Sequence, residues 1–303
     1  LANVDVDVLE QTISSKDAIN KSIDAGRIIL AADSIGASQI LINKAVEYSK
    51  ERKQFGRVIG SFQAVKHMCA EMVSDLEPCY ALVWHAAHCH NSSPDEAKLM
   101  ACHAKAHVSE MGKGIAKKAT EVHGGMGFVE ETGAAQHMRD ARILPIYEGT
   151  NGIQALDFIG RKCMRDGGEG LSLILDNMIS TGDIETSNSP VVAELLEALG
   201  SAIAQCKTAL AYIKNEPTKS PFVAFNFMML FGNSISYWLL VKLALAAQAH
   251  VSAGSDDRFY KQKIATTHFF ASQVLTRNAG YLGAITGSIA SYEEFGVEDF
   301  YRS

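Results

Sequence analysis

Apolar residues recur at helical spacing along most of the chain. From Ser15 to about Lys53, Ile19, Ile23, Ile28, Leu30, Ala31, Ile35, Ile40, Leu41 and Ala45 form one apolar stripe. Gly26 and Gly36 lie inside it and predict close helix contacts or a local break. Phe55-Gly56 ends this helix, positions 57–60 read as a turn, and a second long helix spans about Ser61 to His90. A loop at 91–96 then places Ser93 as a cap and Pro94 at the first helical position, with acids in the first turn. The third helix runs to about Val122, a glycine turn covers 123–127, and a shorter helix lies near Thr132 to Arg139. Three long helices and one shorter unit make a four-helix-bundle pattern.

The stretch from Ile143 to Gln154 follows, and Pro145 and Gly149 break any helix there. Thr150 or Asn151 can cap a helix starting near Ile153. The run Asp166-Gly167-Gly168-Glu169-Gly170 is the clearest boundary in the chain. Beyond it the pattern predicts helices near Leu171–Ser180, Val191–Lys214, Pro221–Ser252 and Asp256–Ala279, with a further segment at Tyr281–Ala290. The fold class is therefore all-α, with a bundle over 13–165 and a second helical domain over 171–303. Residues 1–12, where Val4, Val6 and Val8 alternate with Asp5, Asp7 and Glu10, read as a strand or linker left from a sheet outside this chain.

Composition narrows the function classes. The 303 residues are 47% hydrophobic and 20% charged, enough for one large or two ordinary cores. A net charge of −6 without a basic stripe argues against a nucleic-acid partner. The six cysteines show no CxxC pairing and read as reduced thiols of a cytoplasmic protein. The N-terminus has no signal-peptide pattern and no Met, as expected of a fragment or a processed product. Phe222 to Ala247 is the most apolar run, but Asn226, Asn233, Ser234, Ser236 and Lys242 interrupt it. That favours a buried bundle helix over membrane contact.

Several groups could carry chemistry. Glu148 stands in a non-helical link flanked by Ile, Leu and Tyr, with Gly149 behind it. It is either a buried base whose pKa burial moves toward neutrality or a solvated loop carboxylate. The GGMG run at 124–127 is not the GxGxxG of a dinucleotide fold, and it is either a helix end or a site of close approach to a phosphate. His103 and His107 share a helix face, and His85, His88, Cys89, His90 and Cys102 add to a metal hypothesis. No HExxH glutamate and no third ligand present themselves, so no metal is predicted. Asp24 and Arg27 can pair at i, i+3, as a surface ion pair or at a ligand end.

Taken together, these motifs resemble the C-terminal half of an acyl-CoA dehydrogenase. The matching pieces are Asp24-x-x-Arg27, Glu51-Arg52-Lys53-Gln54-Phe55-Gly56 with Ser61-Phe62-Gln63, and His123-Gly124-Gly125-Met126-Gly127-Phe128. Met138-Arg139-Asp140-Ala141-Arg142-Ile143 and Ile146-Tyr147-Glu148-Gly149-Thr150-Asn151 complete the set in family order. The tail resembles the extra helical domain of larger bacterial members.

The resemblance implies an FAD enzyme that removes two hydrogens from an acyl-CoA substrate, with Glu148 taking the α-proton. It implies Asp24, Arg27, Tyr147 and Gly149 at the substrate, and Arg52, Gln54, Phe55, Gln63, Glu121, Gly124, Gly125 and Thr150 at the cofactor. It also implies an electron-transferring flavoprotein as partner and a homodimer or dimer of dimers that shares FAD across subunits. Two departures stand out: Glu121 replaces a frequent Gln, and Gly152 replaces a frequent Glu or Gln. With one wall of the flavin site outside this chain, FAD is expected to be absent from the fragment, which is expected to be inactive alone. The rivals are an acyl-CoA oxidase or flavin monooxygenase on the same fold, or a non-catalytic helical assembly module.

Overall fold

A computed structural model of the chain describes residues 15–146, 150–181 and 190–287. They are almost wholly helical. Helix α1 (Ser15–Glu51) leads into a two-residue hairpin, β1 (Lys53–Gln54) and β2 (Arg57–Val58). Helices α2 (Gln63–Ser92) and α3 (Pro94–His123) follow, then α4 (Ala134–Ile143) and α5 (Asn151–Asp157), which runs on into a π-helical turn at Phe158–Cys163. The second part holds α6 (Glu169–Ser180), α7 (Pro190–Asn215), α8 (Ser220–Ser252), α9 (Arg258–Gln273) and α10 (Asn278–Thr286). The expected strand at Val4–Glu10 lies outside the described residues.

Helix α3 packs against both α1 and α2 because its buried faces are built of small residues. Ala101, Ala104, Ala106, Ala116 and Ala119 are fully buried. The tightest approach falls at Gly112, where a Cβ would sit 2.5 Å from Ser34 Oγ and 3.2 Å from Ser38 Oγ on α1. This corrects the expectation for Gly26 and Gly36, which do not break α1 and where an added Cβ would meet nothing within 4 Å among the described residues. Ser93 sits at the start of α3 with Pro94 behind it, yet its hydroxyl makes no capping hydrogen bond. The helix expected over 256–279 ends earlier, as α9, and after a 3-10 turn at Leu275–Arg277 the further segment expected at 281–290 begins at Asn278 as α10.

Helix α8 is the centre of the second part. Among the described residues two helical stretches are long and apolar enough to cross a membrane, Asp17–Glu51 and Pro217–Ser252. The apolar window of the second is 83% buried inside the protein, so α8 is a core helix, as its polar interruptions suggested. Two of those polar residues, Asn233 and Ser234, are satisfied internally, whereas the buried Ser236 hydroxyl has no partner among the described residues. Asn233 Nδ2 donates to Asn278 Oδ1 and Asn278 Nδ2 donates to Ser234 Oγ, each at 3.0 Å. Tyr237 donates to the Leu195 carbonyl at 3.0 Å, and Trp238 Nε1 donates to Thr181 Oγ1 at 2.7 Å. Buried polar groups with partners cost little, whereas orphaned ones are expensive.

The boundary at 166–170 is a real turn. Asp166 accepts hydrogen bonds from the backbone amides of Gly168, Glu169 and Gly170 and so caps α6. It does not divide the core. Phe158, Ile159 and Cys163 join Leu171, Ile174 and the α8 side chains in one continuous apolar cluster.

Candidate active site

One cleft forms where the end of α1, the hairpin and the end of α3 meet. The hairpin turn sets Phe55 at φ 53° and Gly56 at φ 80°, the two left-handed positions of a tight turn matched to strand twist. Gly56 does this freely, but Phe55 is strained there. Its ring is 92% exposed and meets Phe62 edge-on at 6.1 Å. The Arg57 guanidinium lies over the Phe62 ring at 4.1 Å. Opposite, Tyr48 stacks on His123 at 4.7 Å, and His123 Nδ1 donates to the Ala119 carbonyl at 2.8 Å. Gly124 ends α3 at φ 58°, and a Cβ on Gly127 would collide with the Thr120 carbonyl, so both positions require glycine. The open cleft has a volume of about 510 Å³ and is lined in part by Arg52, Gln54, Phe55, Gly124 and Gly125.

Five of the eight residues read from the sequence as cofactor contacts are thus gathered in one place. The other three are not. Gln63 opens α2 with its side chain turned along its own helix, Nε2 lying 2.9 Å from His67 Nε2. Glu121 is exposed and faces Lys117 at 3.9 Å. Thr150 spends its hydroxyl on capping α5, where Oγ1 accepts from the Ile153 amide at 3.2 Å.

Tyr147, Glu148 and Gly149 lie outside the described residues, but the chain on both sides is anchored. The Asn151 amide donates to the Pro145 carbonyl at 2.9 Å. Asn151 Oδ1 accepts from Ser109 at 3.0 Å, and Asn151 Nδ2 donates to Glu110 Oε2 at 3.1 Å. Gln154 Oε1 accepts from the Cys102 thiol at 3.0 Å. These contacts tie the start of α5 to α3. In the sequence Asn151 reads only as an alternative cap, because its partners are some forty residues away.

Asp24 and Arg27 do pair, at 3.0 Å, in a second cleft of about 370 Å³. Asp24 is buried, and that burial raises its carboxyl above the usual range against the pull of Arg27, Lys162 and Lys98. Lys98, Arg161, Lys162 and Arg165 share this cleft with Asp157. With Arg27 that makes five basic side chains to two acidic ones. The sequence hinted at this only through Arg161-Lys162 and Arg165; nothing along the chain placed them beside α1. His103 and His107 stack 5.6 Å apart in the core, without a third ligand among the described residues.

The fold is thus a helical bundle with an aromatic cleft at one end and a cationic cleft elsewhere. Residues 17–163 match the family described as acyl-CoA dehydrogenase, C-terminal domain, and residues 176–294 match acetyl-CoA dehydrogenase C-terminal like. The chain belongs to the acyl-CoA dehydrogenase family.

Among its relatives, 3-methylmercaptopropionyl-CoA dehydrogenase of Ruegeria pomeroyi is 41% identical over 187 residues, covering 60% of this chain and 32% of that protein. The caffeyl-CoA reductase-Etf complex subunit CarC of Acetobacterium woodii is 39% identical over 140 residues, covering 46% of this chain and 37% of that protein. The fold is that of an acyl-CoA dehydrogenase from Bacillus anthracis solved with FAD, with a TM-score of 0.72 at 19% identity over 88% of this chain and 49% of that one. The chain spans about a third of the length of these two curated relatives.

Proposed function

We propose that this chain is the C-terminal part of a flavin-dependent acyl-CoA dehydrogenase, with Glu148 as the base that takes the α-proton of an acyl-CoA thioester. The gathering of Arg52, Gln54, Phe55, Gly124 and Gly125 around one cleft carries this reading. The Arg52 guanidinium is exposed at the rim with no carboxylate partner among the described residues. An exposed aromatic ring, an unpaired cation and a glycine-walled floor suit a flat nucleotide base with phosphates attached. Arg52, Gln54 and Phe55 would hold the nucleotide half of FAD, shared with a neighbouring subunit, while Tyr147 and Thr150 would border its flavin end.

FAD, when bound, supplies the acceptor for the hydride leaving the β-carbon. The Glu148 carboxylate removes the α-proton, and expulsion of water by the acyl chain strengthens it as a base. A backbone amide at Glu148 or Gly149 would stabilise the negative charge developing on the thioester carbonyl oxygen. The cationic cleft around Arg27 suits the phosphates of the CoA moiety, with Asp24 holding Arg27 in place. Electrons then pass to an electron-transferring flavoprotein.

Exposed Trp84 and Leu243, with Tyr80 at the rim, surround an apolar groove of about 660 Å³, which supports a homo-oligomer. The 303 residues by themselves are expected to retain no FAD.

The test is flavin retention by the complete enzyme that contains this chain. Arg52→Ala and Phe55→Ala are expected to weaken FAD binding by at least about tenfold, roughly 1.4 kcal/mol. Glu121→Gln and Gln63→Ala should stay within about twofold, since neither residue lines the cleft. Unchanged flavin affinity in Arg52→Ala and Phe55→Ala would refute the assignment of the cleft.

A further inference from the structure

Only Ser93 separates α2 from α3. The sharp corner lays the first turn of α3 against the last turns of α2, where His85 and Cys89 share a face four residues apart. Glu96 comes to the same spot from α3. His85 Nε2 lies 3.6 Å from Cys89 Sγ, and Cys89 Sγ lies 3.8 Å from Glu96 Oε2. All three potential ligand atoms lie within 4.8 Å of one another.

Those lengths match a coordination polyhedron. A zinc ion held at about 2.3 Å by a thiolate and about 2.0–2.2 Å by an imidazole and a carboxylate, at tetrahedral angles, needs ligand atoms about 3.4–3.6 Å apart. Two edges already have nearly that length. The third needs at most about 1.4 Å of closure, within reach of a rotation of the Glu96 side chain. As hydrogen bonds, by contrast, the two sulfur contacts are long.

The chemistry agrees with the geometry. One nitrogen, one sulfur and one carboxylate oxygen suit a borderline-soft divalent ion. Burial holds the His85 imidazole below its usual value, outweighing the opposing pull of Glu96, and Lys242 and His88 lower it further. The ring is therefore neutral at pH 7 and offers a lone pair. Cys89 is buried, whereas His85 and Glu96 are half-buried, leaving a side from which an ion and a water can enter.

We propose that His85, Cys89 and Glu96 form a site for one divalent cation of the zinc class, with water in the fourth position, that fastens the α2–α3 corner. On binding, the Cys89 S–H bond breaks, its proton passes to solvent and the thiolate bonds to the metal. No oxidant or reductant is involved. The Cys89 thiol is pushed up to about 11 by burial and the nearby Glu96 carboxylate, so the affinity should rise with pH.

The test uses the full 303-residue chain after chelator treatment, titrated with Co²⁺ and then with Zn²⁺ against a chromophoric chelator. Expected are one ion per chain, a Kd on the order of a micromolar or tighter, and a thiolate-to-cobalt charge-transfer band. Cys89→Ser should abolish the band and weaken Zn²⁺ binding at least about tenfold, with its helical circular dichroism unchanged. Glu96→Gln, which leaves the thiol in place, should weaken binding several-fold and serves if Cys89→Ser fails to fold. His88→Ala and His90→Ala, on neighbouring positions of α2, should change neither readout. A wild-type chain without the band, or Zn²⁺ binding that survives Cys89→Ser and disappears in His88→Ala, overturns the site.

Discussion

His103 and His107 show how far a residue's spacing and its surroundings can diverge. Their i, i+4 spacing was visible in the sequence, and without a third ligand it favoured helix-surface or core residues over metal ligands. In the structure both are fully buried, and both ring nitrogens of His103 lack hydrogen-bond partners among the described residues. Burial lowers His103 to about 3, with His107 contributing, and lowers His107 to about 4. For a base, a lowered folded-state pKa means that the unfolded chain binds more protons between roughly pH 4 and 6.5. Stability is therefore full above that window and falls as pH drops through it, by up to about 1.4 kcal/mol per pH unit for each ring. His103→Leu should remove one such contribution, so urea unfolding at pH 7 and pH 5 should show a flatter dependence than in the parent. An unchanged slope would mean that His103 is not held neutral in the core. The same gap separates Asp24 and Arg27, whose pairing was legible, from Lys98, Arg161 and Arg165, which only the fold brings to them.

At the scale of elements, the 3.6-residue apolar period located the long helices, because each has one face turned into a core and shows it. What the period does not encode is the rotation of one helix against another. Gly26 and Gly36 looked like contact points because they fall inside the apolar stripe of α1, yet both have open space around them. The real close approach is Gly112 on α3, facing Ser34 and Ser38. Gly112→Ala is expected to cost about 1–3 kcal/mol through overpacking, despite the better helix propensity of alanine. Gly36→Ala should gain up to about 1 kcal/mol, because only the propensity changes. Denaturant midpoints of the two variants should move in opposite directions, and a shared direction would mean that the α1–α3 contact is not tight at Gly112. The hairpin at 53–58 was legible as a helix end but not as a hairpin, since Phe is an unusual choice for a left-handed turn position. The break at Leu275–Arg277 was hidden because neither Gly nor Pro marks it.

Across the whole molecule, the glycine run at 166–170 marked a chain turn but gave no sign that the core continues through it. Phe158 near the end of the bundle lies 5.7 Å from His103 and 6.1 Å from Phe227 of α8, so aromatic contacts bridge the two matched segments. Such sharing couples their unfolding. The two tryptophans report on each side, Trp84 from α2 and Trp238 from α8. Denaturation followed by the fluorescence of single-tryptophan variants, Trp84→Phe and Trp238→Phe, should give coincident transitions. Transitions separated by more than the fitting error would mean two independently stable units.

The same scale holds the proposed function, in which Glu148 is the base of a flavin-dependent reaction. The decisive measurement is turnover of an acyl-CoA by the complete enzyme carrying Glu148→Gln, with bound flavin measured in parallel. A base at this position predicts full FAD content and a kcat lowered about a hundred- to ten-thousandfold. A variant that keeps its flavin and turns over within a few-fold of the parent would contradict Glu148 as the base.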